Sequence, residues 1–189
     1  MMIMMQSLWL VILLTATSIT NFALGETAPS GDTATVVLLV RHAEKAAGPG
    51  DDPPLTPEGR CRAKALATAL RDARPTTIIT TQLQRTIQTA QPSAASAGIN
   101  PERVPIDSSK ISQNVAAIAA VVRNHLRETI LIVGHNTTVP AVIAALGGPQ
   151  LPIIPDAEYD KLFVLILGKD VRLVQSRYGA PSSSIEDCG

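Results

Sequence analysis

A chain of 189 residues that is 46% apolar is long enough to bury a core of its own and short enough that one domain is the natural expectation. Its 16 basic and 16 acidic residues cancel, which excludes bulk attraction to nucleic acid or to an anionic membrane and makes any affinity for an anion a local property. Aromatic residues are scarce, so the core is expected to consist of Ala, Val, Ile and Leu, as helices packed on a parallel sheet allow.

The first 25 residues differ from the rest. Leu8 to Leu14 is a compact uncharged apolar run, followed by polar residues and the small-x-small pattern Ala23-Leu24-Gly25, which reads as a secretory signal peptide over residues 1–25. The segment ahead of the run has no Lys or Arg, so a retained anchor is the competing interpretation. Removal is favoured because the run is shorter than the ~20 residues a spanning helix needs, which leaves no membrane span in the mature chain. Export to the periplasm or the medium follows, with residues 26–34 as a flexible mature terminus.

From residue 35 onward strands and helices alternate. Thr35 to Val40 reads as a strand, Pro57 to Ala73 as a helix capped by Thr56, Thr76 to Thr80 as a strand, and Leu83 to Ala97 as a helix stopped by Gly98. A short strand near Val104, a helix over Ile111 to Leu126, a strand over Thr129 to Val133 and a helix over Thr138 to Leu146 follow. Lys161 to Leu167 and Val171 to Ser176, joined by Gly168-Lys169-Asp170, form a hairpin pattern. The expected fold is a three-layer α/β/α domain over residues 35–178, with a mostly parallel sheet, a C-terminal antiparallel hairpin and a tail at 179–189.

Chemistry concentrates at the ends of these strands. Leu39-Val40-Arg41-His42 places a fixed cation beside an imidazole at the carboxyl edge of the sheet, where open α/β folds bind ligands. Val133-Gly134-His135 repeats the design, with a Gly that permits a tight turn. Arg85 opens the helix between them. Guanidinium groups suit phosphate because their planar fork makes paired charged hydrogen bonds and keeps its charge at any ordinary pH. Two arginines and two histidines form a constellation for phosphate.

In Arg41-His42-Ala43-Glu44-Lys45, Leu55-Thr56-Pro57-Glu58-Gly59, Arg85-Thr86-Ile87-Gln88-Thr89-Ala90 and Val133-Gly134-His135, the chain resembles the histidine phosphatase superfamily, which includes the cofactor-dependent phosphoglycerate mutases and the histidine acid phosphatases. The resemblance implies a phosphoglycerate mutase-like fold and a phosphohydrolase for a small phosphorylated substrate, with neither metal nor organic cofactor. It implies that His42 is the nucleophile that becomes a phosphohistidine, that Arg41 and Arg85 bind the phosphoryl oxygens, and that His135 donates a hydrogen bond to the same group.

The general acid is open between two residues. In the mutases a Glu lies beyond the second Arg, in a region that here reads Val104 to Ser109, where Asp107 is the nearest carboxylate; Glu44, two residues from His42, is the rival. The phytase-like branch carries His-Asp at the second histidine, whereas this chain has His135-Asn136, which argues against that branch. A binding module that holds a phosphorylated ligand without turnover and a phosphomutase are the alternatives; the near-minimal length disfavours the mutase. A metal site at His42, Glu44 and His135 is disfavoured because two arginines would repel the cation.

The remaining features are weaker. In an oxidising compartment Cys61 and Cys188 can close a disulfide or remain two unpaired thiols. The loop from Gly48 to Pro54 either rims the pocket or is an ordinary connection, His125 belongs to a helix end, and Tyr159-Asp160 and Tyr178-Gly179 either reach the site or, as preferred, pack. No pattern in the chain specifies an oligomeric state.

Overall fold

The computed structural model describes residues 34–48 and 50–182. The expected signal peptide, nearly all of the expected flexible segment, and Cys188 lie outside the described residues. Six strands form one sheet: β1 (Thr35–Arg41), β2 (Thr77–Thr80), β3 (Glu102–Arg103), β4 (Thr129–Gly134), β5 (Lys161–Leu167) and β6 (Val171–Arg177). Four helices connect them: α1 (Pro57–Ala69), α2 (Gln84–Ala97), α3 (Ile111–Asn124) and α4 (Thr138–Ala145).

Strand order is β3-β2-β4-β1-β5-β6, with the first four strands mutually parallel and β5 and β6 antiparallel, as the alternating pattern and the terminal hairpin predict. The two successive crossovers from β1 to β2 to β3 run toward one edge, and the next, from β3 to β4, runs back. Right-handed crossovers in opposite directions place their helices on opposite faces. Accordingly α1 and α2 pack together on one face, and α3 and α4 on the other. β1 and β4, covered on both faces, are continuous apolar runs rather than alternating ones. Their successive side chains enter different cores: Val37, Leu39, Ile130 and Ile132 meet α3 and α4, whereas Leu38, Val40, Leu131 and Val133 meet α1 and α2.

Local chemistry sets the helix limits. Thr56 caps α1 by accepting from the Gly59 N–H at 3.0 Å, with Pro57 at the first helical position. The helix ends at Ala69, short of the expected Ala73, because the chain tightens through the Arg71 and Ala73 amides and Arg74 turns left-handed at φ 46° ahead of Pro75. α3 stops at Asn124 rather than Leu126, since the His125 side chain leaves the helix for Thr77 and Glu128 and Arg127 adopts φ 67°. α2 ends as expected on left-handed Gly98, and the Ile99 amide closes back on the Ala94 carbonyl at 3.0 Å.

α1 is pressed against the segment that follows β1. The Thr56 amide donates to the Glu44 carbonyl at 2.9 Å, and a β-carbon on Gly59 would collide with that same carbonyl. Gly59→Ala is therefore expected to push α1 off the Glu44 backbone, at a cost of about 1–3 kcal/mol. Chemical denaturation should show the lowered midpoint.

Candidate active site

The parallel register of β1 against β4 aligns Val40 with Val133 and Arg41 with Gly134, while Thr80 of β2 also pairs with Val133. The three strand ends, and the residues that follow them, therefore converge. The His42 amide donates to the Gly134 carbonyl at 2.9 Å, and the His42 and His135 rings meet edge to face with centroids 5.3 Å apart. Gly134 is needed for closeness: a β-carbon there would stand 3.0 Å from Val139 Cγ2 and 3.1 Å from Thr138 Oγ1. Arg41, His42 and His135 are all at most 6% exposed.

Arg41 is held by backbone. Its Nη1 donates to the carbonyls of Pro155 at 2.9 Å, Asp156 at 2.9 Å and Glu158 at 3.1 Å. Its guanidinium carbon lies 4.2 Å from the Tyr159 ring centre, a stacking contact that orients the charge without consuming a donor. Nε is buried and meets no acceptor. The edge of the fork formed by Nε and Nη2, the one that grips an oxyanion side-on, is thus left to a loose contact from Nη2 to Asp156 Oδ1 at 3.5 Å.

The tautomer of His42 is fixed by its neighbour. Nδ1 lies 2.8 Å from the Ala43 carbonyl, which can only accept, so Nδ1 carries the proton and a neutral ring holds its lone pair on Nε2. Burial first, and then the charges of the pocket, lower the His42 pKa to about 3, against the opposing pull of the Ala43 carbonyl. Ala43 is itself tied down, its amide donating to Thr89 Oγ1 at 2.9 Å on α2. The arrangement is that of a preoriented neutral nucleophile.

Arg85 enters from the first turn of α2. Its Nη1 donates to the Asp51 carbonyl at 3.2 Å and lies 4.0 Å from Asp52 Oδ1, and its Nε, like that of Arg41, is buried without an acceptor. Burial and the nearby Arg41 lower its pKa, and Asp52 opposes them. Asp52 also caps α2 from outside, accepting from the Gln84 amide at 2.7 Å where Leu83 has no side chain to offer. Asp51 and Asp52, from the loop that is two-way in the sequence, thereby meet Arg85 and the start of α2.

His135 is oriented by a chain of hydroxyls. Thr86 donates to the Leu83 carbonyl at 2.9 Å, so Thr81 must donate to Thr86 at 2.9 Å, and His135 Nε2–H must donate to Thr81 at 3.2 Å. Burial, followed by the charges of Arg85 and Arg41, lowers the His135 pKa to about 4. The ring is therefore neutral with Nδ1 unprotonated, so the expected donation to a phosphoryl group would use Nδ1 and require a proton arriving with the anion.

Both carboxylates expected as general acid are engaged by other partners. Glu44 is gripped by Arg62, with Nε at 2.8 and 3.0 Å and Nη2 at 2.7 Å, while Arg62 Nη1 donates onward to the Ala180 carbonyl at 2.9 Å. This paired carboxylate joins the His42 segment to α1 and, through Arg62, to Ala180 beyond β6. Asp107 is exposed and turns on itself, accepting from the Ser109 hydroxyl at 2.7 Å and the Ser109 amide at 2.9 Å. Those two bonds hold its carboxyl below the usual carboxylate range, the opposite of what a proton donor near neutrality requires. Cys61 lies on α1 and is not a free thiol, but its expected partner Cys188 is outside the described residues. Among the described residues no three His, Cys, Asp or Glu side chains group as metal ligands, and no helix is long and apolar enough to cross a membrane.

Several residues at the site were not anticipated. Thr86 and Thr89 lie in the Arg85 to Ala90 segment, so their Thr-x-x-Thr spacing directly after Arg85 is a readable signal. Thr81 and Asp156 left none: Asp156 lies more than a hundred residues from Arg41 and reaches it through a loop. Tyr159, for which packing is the preferred expectation, instead reaches the site and stacks on Arg41.

Comparison with known proteins bears on the family and the fold. A model of the histidine phosphatase superfamily (branch 1) matches residues 37–106, a stretch that holds Arg41, His42 and Arg85 and ends before His135. The structure of the protein histidine phosphatase SixA complexed with tungstate is 16% identical, covers 75% of this chain and 96% of its own, and superposes with a TM-score of 0.60. A SixA from Agrobacterium tumefaciens, described as a candidate phosphohistidine phosphatase, is 27% identical over 77% of this chain and 98% of its own, with a TM-score of 0.54. A mycobacterial glucosyl-3-phosphoglycerate phosphatase with inorganic phosphate is 16% identical over 78% of this chain and 98% of its own, with a TM-score of 0.55. No curated protein sequence gives a significant match. The fold is phosphoglycerate mutase-like, as the resemblance implied.

The lowered histidine pKa values have a definite sign. Both rings bind protons more weakly folded than unfolded, so stability is intact above about pH 6.5 and falls as pH drops toward about 4 and then about 3. Urea titrations between pH 7 and 4 are expected to lose stability, and His42→Gln should flatten that loss; an unchanged slope would show that His42 titrates normally.

Proposed function

On the premise of its match to the histidine phosphatase superfamily, we propose that this protein is a phosphohydrolase that cleaves a phosphomonoester through a phosphohistidine intermediate on His42. The observation that carries the reading is the pair of buried guanidinium Nε donors, on Arg41 and Arg85, that meet no acceptor beside an imidazole whose free lone pair is on Nε2. Buried donors without partners are costly, and two of them on arginines whose charges both act on the His42 ring favour an oxyanion as ligand.

In this mechanism Nε2 of His42 attacks phosphorus and the bond from phosphorus to the ester oxygen breaks, its electron pair leaving with the alcohol oxygen, which takes up a proton. Water then attacks the phosphohistidine, the N–P bond returns its pair to Nε2, and inorganic phosphate departs. Arg41 and Arg85 hold the equatorial oxygens in both displacements, already oriented by the Pro155 to Glu158 carbonyls and by Asp51. The anion's charge favours protonation of His135, which then donates from Nδ1. The site residues supply binding and nucleophile without a metal or an organic cofactor. The substrate class is a small phosphomonoester or a phosphorylated peptide.

Purified protein is expected to hydrolyse a generic aryl phosphate in chelator, and mass spectrometry after an alkaline quench should find an acid-labile phosphoryl group on His42. His42→Ala is expected to lose both turnover and label. A wild-type protein that binds phosphate analogues but never labels would instead be a phosphate-binding module, and undiminished turnover by His42→Ala would overturn the mechanism.

We also propose export, with residues 1–25 removed as a signal peptide, on the apolar run and Ala23-Leu24-Gly25 pattern of the sequence. Amino-terminal sequencing of protein from fractionated cells should find a soluble form starting near Glu26; an intact amino terminus confined to membranes would mean a retained anchor.

A further inference from the structure

We propose that Asp156 selects the leaving group, disfavouring phosphomonoesters whose leaving group is anionic and favouring those whose leaving group carries a cation or a hydrogen-bond donor, such as an aminoalkyl phosphate. This inference rests on the phosphohydrolase reading and deepens it. Asp156 sits in the loop that anchors Arg41: its carbonyl accepts from Arg41 Nη1 at 2.9 Å, and its side-chain Oδ1 lies 3.5 Å from Nη2, on the edge of the fork offered to phosphate. The carboxylate is 89% exposed, so it faces the solvent side of the pocket, from which a leaving group must extend.

What fixes Asp156 there is Asn136 rather than Arg41. Asn136 Nδ2 donates to Asp156 Oδ1 at 3.0 Å, shorter than the ion pair, and the Asn136 carbonyl accepts from the Ile154 amide at 3.1 Å, docking the whole loop beside His135. When a phosphoryl group takes the Nε and Nη2 edge of Arg41, the loose ion pair yields and the tether to Asn136 remains. The carboxylate then stays at the mouth with its charge no longer matched by Arg41.

Most other carboxylates near the site have partners of their own, and Asp51 gives Arg85 only its carbonyl. Glu44 pairs with Arg62, Asp52 caps α2, Glu158 pairs with Lys161 at 2.8 Å and Asp160 with Arg177 at 2.6 Å. Asp156 is the one that touches Arg41 while holding an oxygen toward solvent. A single negative charge several ångströms from a leaving group, in the partly solvated dielectric of a pocket mouth, discriminates between oppositely charged leaving groups by roughly tenfold.

The test is the ratio of kcat/KM for O-phosphoethanolamine to that for 3-phosphoglycerate, with glycerol 2-phosphate as the uncharged reference. Wild-type protein is expected to favour the ethanolamine ester, and 0.5 M salt should narrow its preference by screening. D156N is expected to lower the ratio by roughly tenfold and to remove its salt dependence. Asn136→Ala, which cuts the tether, should shift the ratio the same way by less. A ratio and salt dependence that D156N leaves unchanged, in a protein that turns over these esters, overturns the role of Asp156 and leaves the phosphohydrolase standing. Parallel losses on all three esters would show a structural role only and overturn it equally. Absence of turnover on all three esters and on aryl phosphate would remove the phosphohydrolase reading and this inference with it.

Discussion

The parallel pairing that sets Arg41 opposite Gly134 is the constraint on which the site depends. Strand side chains alternate faces with a period of two, so a slip of one residue would exchange the two cores and carry His42 away from His135. Burial on both faces of β1 and β4 makes such a slip expensive, because Val37 and Leu39 would trade places with Leu38 and Val40 against different helices. The geometry of the chemistry is thus fixed by the packing of aliphatic residues that take no part in it. The hydrogen bond from the His42 amide to the Gly134 carbonyl extends that register one step past the sheet, to the residue that matters.

The second level of organisation is the disposal of charge. Two arginines are enclosed with two histidines, and the protein avoids adding further positive charge by keeping both rings neutral through burial. The donors that point away from the site are satisfied by carbonyls of the Pro155 to Glu158 loop and by Asp51, so orientation is separated from binding. Carbonyls serve this purpose better than carboxylates would, since they hold a guanidinium in place without neutralising its charge. The carboxylates nearby are either paired at short distance with other cations, as Glu44 is with Arg62, or stand off at 3.5 to 4.0 Å.

The segment that carries His42 is braced from several directions. Thr89 of α2 holds the Ala43 amide, α1 presses Gly59 against the Glu44 carbonyl, and Arg62 ties the Glu44 side chain to the carbonyl of Ala180. The Ala43 carbonyl that fixes the His42 tautomer is therefore a rigid acceptor, and the segment just after β6 helps to brace it through Ala180.

The sequence by itself determined the alternation of strands and helices, the terminal hairpin, and the four residues Arg41, His42, Arg85 and His135, because apolar periodicity, caps and strand-end motifs are local signals that need no tertiary partner to be read. It misjudged the ends of α1 and α3, where left-handed Arg74 and Arg127 and the outward bonds of His125 override helical periodicity. Tertiary structure alone decided which carboxylates are available. Glu44 and Asp107 are near the motifs in sequence, yet one is consumed by Arg62 of α1 and the other by its own turn, while Asp156 and Tyr159 reach Arg41 from a loop more than a hundred residues away. A side chain's partners are set by what the fold brings within hydrogen-bond distance, and sequence separation carries no information about that distance once a crossover topology has folded the chain back on itself.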